Sequence, residues 1–386
     1  MSVTAAEGFV AAGCHAGVKR RRYDMALVAT EDRKPVPAAA VFTQNRFAAP
    51  PVLLDRRLLA ANGGRAAAIV INSGNANAGT GAAGLADAEA MGSAAAQALG
   101  IDPADVLVCS TGIIGTPLPM EKILSATPKL AKKLSASGAE DAARGILTTD
   151  HRPKQTLIES DGFTLGGMAK GCGMIAPNMA TMLAFLTTDA AVSAEEMRPI
   201  LREAAERTFN TLDVDGATST NDTAILLASG RRGRPDLRAF ADAVHKACED
   251  LTWQMARDAE GMTKMALVRI TGAASDADAR AAAKSVVGNM LVKCSWYGSD
   301  PYWGRILAAA GAAGIEFEAE RSSVAYGGIV VSSGGTNAAH DEAALKAHMA
   351  GERIEIEVAL GIGAGSAQMI GIDLGPGYIQ ENSVTS

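Results

Sequence analysis

The chain has 386 residues, 48% of them apolar and 20% charged, which is enough for a sizeable buried core and excludes a disordered polymer. A net charge of −6 excludes the concentrated basic surface that nucleic acid needs, and no run of about eighteen apolar residues marks a membrane span. The start "MSVTAAEGFVAAG" lacks a signal peptide's basic lead, and five scattered cysteines (14, 109, 172, 248, 294) suit reduced thiols, so a soluble cytoplasmic protein is expected.

Lys19-Arg20-Arg21-Arg22 is a short basic run that reads as a solvated turn. "AAIVINSG" (67–74) reads as a buried strand, and "GLADAEAMGSAAAQALG" (84–100) as an Ala-rich helix stopped by Gly100. "DVLVCSTG" (105–112) is a second buried strand running into a Thr-Gly turn. The Gly-rich stretch 163–177 reads as irregular, and Thr181 opens the apolar run "MLAFL" as β-branched residues often do. Ser193 and Glu196 form a capping box for a helix carrying Met197, Ile200, Leu201, Ala204, Ala205 and Phe209 at helical spacing, with Pro199 placed to kink its start. Leu237, Phe240, Ala241, Val244, Cys248 and Leu251 mark a longer helix leading to Glu260-Gly261. Near the end, "RIEIEVAL", "GIGAG" and "SAQMIGIDL" read as an antiparallel hairpin with one wetted face. The alternation gives an α/β (α+β) chain of two mixed α/β lobes.

Most motif chemistry fails. Gly79-Thr80-Gly81-Ala82-Ala83-Gly84 has dinucleotide spacing, but "SGNANA" separates it from the strand, so the pyrophosphate would not meet the helix start. There is no Walker A, no G-x-S-x-G elbow and no HxxxH, so neither a nucleotide, a metal nor any other cofactor is called for.

A nucleophile that needs no histidine survives. A threonine hydroxyl is too weak an acid to attack a carbonyl unaided. A peptide break before it creates an α-amine with a reference pKa of about 7.7–8.0, which can act as the hydroxyl's own base. In "GCGMIAPNMATMLAF" the break would fall between Ala180 and Thr181 through an N→O shift, leaving chains 1–180 and 181–386. The negative charge on the attacked carbonyl needs donors, and the Thr111 hydroxyl with the Gly112 amide in "CSTGIIG" is a plausible pair.

At this point the residues become familiar. "KGCGMIAPNMATMLAF" resembles the processing site of the ornithine acetyltransferase family, the bifunctional glutamate N-acetyltransferases of arginine biosynthesis. The resemblance runs in order through "GFVAAGCHAGVK", "AVFTQNRFAAPPV", "VINSGNANAGTG", "CSTGIIG", "LTTDHRPK", "FNTLDVDGATSTNDT", "AEGMTK", "DPYWGRI" and "GYIQEN". It implies a self-processing N-terminal-threonine enzyme of the aminopeptidase/ornithine acetyltransferase-like fold. The α chain (1–180) would carry oxyanion and substrate loops, and the β chain (181–386) the nucleophile. It implies a ping-pong reaction in which Thr181 takes acetyl from N-acetyl-L-ornithine, releases L-ornithine and passes acetyl to L-glutamate. Members with the second activity also use acetyl-CoA as co-substrate. The resemblance also implies that two α and two β chains assemble as a heterotetramer.

Residue by residue, Thr111 and Gly112 match the oxyanion pair, and Thr148, Lys170, Thr181, Glu260 and Asn382 match substrate contacts. Ser386 stands at the terminal hydroxyl position, with Thr385 as the alternative, because the tail after Asn382 is one residue shorter than the usual pattern. The competing expectation is a self-processing amidohydrolase or aminopeptidase of related fold, in which water takes the acyl group. A metabolite sensor built on "GTGAAG" is the non-enzyme alternative, and it would stay a single polypeptide.

Overall fold

The computed structural model describes residues 2–177 and 182–384. Two sheets stack face to face. The first has four strands in the order Phe9–Cys14, Met25–Thr30, Ala68–Asn75, Val106–Ile113. The second has six, in the order Arg65–Ala66, Val36–Phe42, Thr223–Ala228, Leu183–Thr188, Phe163–Lys170, Lys154–Ser160.

Side-chain alternation shows how they stack. In Leu183–Thr188, Leu183 and Phe185 join Ile69, Ile71 and Leu107 of the first sheet in one core. Their neighbours Ala184 and Leu186 point the other way, into a core with the helices Ala194–Arg207 and Leu237–Ala256. Thr223–Ala228 divides in the same way, so both central strands are apolar along their length because both faces are covered. The helices Gly81–Leu99 and Met120–Lys132 cover the outer face of the first sheet, completing an order of helices, sheet, sheet, helices. The six-stranded sheet draws strands from both sides of position 180.

A third sheet of seven strands holds the C-terminal quarter, in the order Leu212–Asp213, Gly365–Ile372, Met265–Ala273, Arg353–Ala359, Ser323–Tyr326, Ile329–Ser333, Thr336–Asn337. Asp276–Val287 and the shorter helices after it bury its inner face around Trp296 and Tyr326. This is a mixed α/β architecture.

Several local expectations hold. Gly100 ends the helix Gly81–Leu99 in the left-handed conformation, and Ser193 and Glu196 make both bonds of their capping box. Others are corrected. The stretch 163–177 is not irregular throughout, since Phe163–Lys170 is a strand paired on both edges. Its glycines are steric: a Cβ on Gly166 would lie 1.8 Å from the Ser2 carbonyl, and one on Gly167 would lie 2.5 Å from Leu186. Arg353–Ala359 and Gly365–Ile372 form no hairpin. Met265–Ala273 lies between them, parallel to the first and antiparallel to the second. Alternation fixes which face is wet but carries nothing about the neighbouring strand. In the basic run Arg20, Arg21 and Arg22 are exposed, whereas the Lys19 ammonium turns inward to the Leu147 carbonyl at 2.8 Å.

Candidate active site

Ala180, Thr181 and Ser386, with the alternative Thr385, lie outside the described residues. The remaining site residues come from five separated segments, and they meet along the flanks of 178–181.

Thr111 and Gly112 stand at the end of Val106–Ile113, beside Ser73, Gly74 and Asn75 of the parallel neighbour. Gly112 has φ +133°, and a Cβ there would lie 2.3 Å from the Gly74 carbonyl carbon, so only glycine fits. Asn221 ties this strand end to the second sheet. Its side-chain amide donates to the Ala76 carbonyl at 2.6 Å and to the Ser110 carbonyl at 2.9 Å. The next residue, Asp222, accepts the Met182 amide at 3.0 Å. Asn221 and Asp222, adjacent in the chain, thus link the strand at Ser110, just before the Thr-Gly turn, to Met182.

On the other side of Leu183–Thr188 runs Phe163–Lys170, with Lys170 opposite Leu183. Lys170 is buried, and its ammonium lies 3.7 Å from Asp150. Asp150 is the hub of this side. One of its oxygens accepts Lys154 at 2.5 Å and the Gly171 amide at 2.7 Å, and the other accepts the Thr148 amide at 3.1 Å and its hydroxyl at 3.4 Å. Lys154 also donates to Asp258 at 2.5 Å. Burial works against the Asp150 carboxylate, but the Lys170 and Lys154 cations and the Gly171 amide outweigh it and hold its pKa below the usual carboxylate range.

Glu260 follows the helix Leu237–Ala256 and is only 6% exposed. Thr149 donates to its carboxylate at 2.6 Å and Asn382 at 2.9 Å, while its own amide donates to the Cys172 carbonyl at 2.9 Å. Gly173 passes so close that a Cβ would sit 2.1 Å from a Glu260 oxygen. Asn382 is the last residue of the C-terminal helix Pro376–Asn382. Tyr378 anchors that helix through its hydroxyl to Asp215 at 3.0 Å, and Asp215 in turn holds the Met174 and Ile175 amides at 2.6 and 3.1 Å. The C-terminal helix therefore closes against the loop that leads into 178–181.

Sequence reasoning missed Asp150, Lys154, Asp258, Thr149, Asn221 and Asp222 as members of this cluster. All except Asp258 stand inside quoted motifs, "LTTDHRPK" and "TSTNDT". Burial, complete for all but the half-buried Thr149, was the missing signal, and no local pattern reports it. Cys172 is no competing nucleophile, because burial and the Asp150 charge push its thiol far above its ordinary value. Among the described residues no group of His, Cys, Asp and Glu could hold a metal ion, and no helix is long and apolar enough to cross a membrane.

A family model described as the ArgJ family matches residues 10–385. The chain belongs to the ArgJ family. The "Arginine biosynthesis bifunctional protein ArgJ" of Mycolicibacterium paratuberculosis is 45% identical to this ArgJ-family chain over 394 residues, covering 100% of the chain and 96% of the relative. The protein of the same name from Thermobifida fusca is 43% identical over 387 residues, with 100% of both covered. A solved ornithine acetyltransferase from Mycobacterium tuberculosis, described as complexed with ornithine, is 43% identical. The match covers 46% of this chain and 94% of that one, with a TM-score of 0.44. A solved ArgJ from Bacillus halodurans is 38% identical over 51% of this chain and 96% of that one, with a TM-score of 0.49.

Proposed function

We propose that this ArgJ-family chain is a glutamate N-acetyltransferase of arginine biosynthesis. It cuts itself between Ala180 and Thr181, takes acetyl from N-acetyl-L-ornithine onto Thr181, and passes it to L-glutamate. The observation that carries the reading is Glu260: a buried carboxylate in hydrogen bonds from the Thr149, Asn382 and Cys172 side chains, with no cation partner among the described residues, beside the loop into 178–181.

Each step has a group suited to it. Ornithine and its N-acetyl form carry ammonium groups, and a carboxylate fixed by Thr149 and Asn382 is pre-organised for one of them. Attack on the acetyl carbonyl builds negative charge on oxygen, for which the Thr111 hydroxyl and Gly112 amide supply donors. The α-amine of Thr181, free after cleavage, takes the hydroxyl proton and returns it to the departing ornithine amine. Lys170 and Thr148 sit at the Asp150 side of the same cluster, where they would meet the substrate's carboxylate end. Ser386 or Thr385 would close the pocket from the tail.

The relatives' description as bifunctional supports acetyl-CoA as a second donor, and glutamate turnover with acetyl-CoA tests that directly. The products of cleavage would stay together because strands from both share one six-stranded sheet. Native mass measurement checks the proposed assembly of two α and two β chains. The proposed setting is the cytoplasm, which five free thiols suit.

The deciding experiment incubates the purified protein with N-acetyl-L-ornithine, with and without glutamate. Acetyl should appear on Thr181 and then on glutamate. Free acetate released at one rate in both reactions would favour the hydrolase.

A further inference from the structure

Lys19 lies half-buried in the loop between the strands Phe9–Cys14 and Met25–Thr30. The buried Asp24 carboxylate closes that loop by accepting the amides of Ala16 at 2.5 Å, Gly17 at 3.0 Å and Lys19 at 2.9 Å. The Asp24 carbonyl accepts the Ser73 amide at 2.9 Å, which fixes the loop to the strand Ala68–Asn75. The stem of Lys19 then crosses the end of that strand, so close that a Cβ on Gly74 would lie 2.6 Å from its Cγ. Gly74 is the residue paired with Gly112. At its tip the ammonium donates to the Leu147 carbonyl at 2.8 Å, one residue before Thr148. A single side chain therefore joins the Thr-Gly turn to the segment that carries Thr148, Thr149 and Asp150.

The neighbouring lysines are already paired. Lys154 is shared by Asp150 and Asp258, and Lys170 faces Asp150. Lys19 makes no ion pair among the described residues, and its one hydrogen-bond partner is a neutral carbonyl. Burial, reinforced by the Arg22 and Lys170 charges, lowers its ammonium to about 8 against the pull of Asp24 and Asp150. A partly desolvated cation without a counter-ion is stabilised by an anion brought to it.

The covalent structure of the substrate says which anion. In an N-acetyl amino acid the acylated nitrogen and the α-carboxylate share one carbon. An acetyl carbonyl held by Thr111 and Gly112 therefore keeps the carboxylate beside that turn. The ornithine side chain then has three methylenes with which to reach Glu260. The protein has a matching span: Leu147 holds Lys19, Thr149 holds Glu260, and two residues extend about 7 Å at most. We propose that Lys19 is a substrate-binding residue whose ammonium receives the α-carboxylate common to N-acetyl-L-ornithine and L-glutamate. The inference rests on the acetyltransferase reading and adds an unpaired cation to Lys170, whose charge Asp150 already shares. With three donors, the ammonium can keep the Leu147 carbonyl and still meet the carboxylate.

Lys19→Met tests this, because it keeps an apolar stem against Gly74 and removes the charge. The probes are N-acetyl-L-ornithine and its α-carboxamide, each assayed as acetyl donor to glutamate. In the variant, kcat/KM for the carboxylate donor should fall about thirtyfold, the scale of a lost charge-assisted hydrogen bond. For the carboxamide donor it should stay within about threefold of wild type. Lys19→Arg, which retains the charge, should keep the preference for the carboxylate. Equal losses on both donors would mean that Lys19 only shapes the turn, and no loss on either would mean that it has no part in binding. Both results overturn the proposal. If Lys19→Met yields no soluble protein, Lys19→Gln carries the same comparison. Wild type is assayed first: no acetyl transfer from N-acetyl-L-ornithine to glutamate defeats the functional reading, whereas transfer with the carboxylate preference intact in the variant defeats only the role of Lys19.

Discussion

Four buried carboxylates near the segments that flank 178–181 are satisfied in two different ways. Asp150 and Asp258 share Lys154, Asp150 also faces Lys170, and backbone amides take up further lone pairs. Among the described residues Glu260 and Asp222 receive neutral donors only, and one oxygen of Asp222 receives none. Where charge is balanced within the chain, the carboxylates act as scaffold. Where it is left unbalanced, as at Glu260, a substrate ammonium is the natural complement.

The contrast can be broken at several points. The largest effect belongs to Thr181→Ala, which should stay full length on a denaturing gel and lose acetyl transfer by at least about a thousandfold, since nucleophile and base vanish together. A variant that is cut like wild type would refute the nucleophile. Lys154→Ala should cost about 3 kcal/mol in urea unfolding, because it removes the cation that two buried carboxylates share. Glu260→Gln should do the reverse. Stability should change by less than about 1 kcal/mol, while kcat/KM for N-acetylornithine falls roughly a hundredfold, the scale of a lost charge-assisted bond. Equal stability losses in these two variants would erase the distinction between the groups.

Acid should sharpen it further. Asp150's folded pKa lies below its unfolded value of about 3.9, so its contribution is fully present above that pH and disappears as pH falls toward the folded value. Wild type should lose stability below about pH 4 more steeply than Asp150→Asn, as read from urea midpoints. The smallest effect is at the surface. Arg144→Ala, which breaks an exposed pair with Glu140, should change stability by no more than about 0.5 kcal/mol.

Local grammar was legible wherever it depended on neighbours in the chain. The Ser193–Glu196 capping box, the Gly100 stop and the buried strand ending in Thr111-Gly112 could all be read directly. The site residues Thr111, Gly112, Thr148, Lys170, Glu260 and Asn382 were named from motifs, but their partners were not. Thr149, one residue from the one chosen, is the hydroxyl bonded to Glu260. Glycine density misled at 163–170, where small residues serve close approach by Ser2 and Leu186 rather than a loop.

The amino-acid order by itself determined the family, the mixed α/β class and the placement of one threonine beside a small residue in a Gly-rich approach. These rest on residue identity and short-range spacing. Only the tertiary structure decided that Met265–Ala273 separates two strands that looked like a hairpin, that Asn221 ties the Thr-Gly turn to the flank of 178–181, and that Asp222 keeps an unpartnered oxygen. Strand pairing and desolvation arise between segments tens to hundreds of residues apart, and no local window carries either.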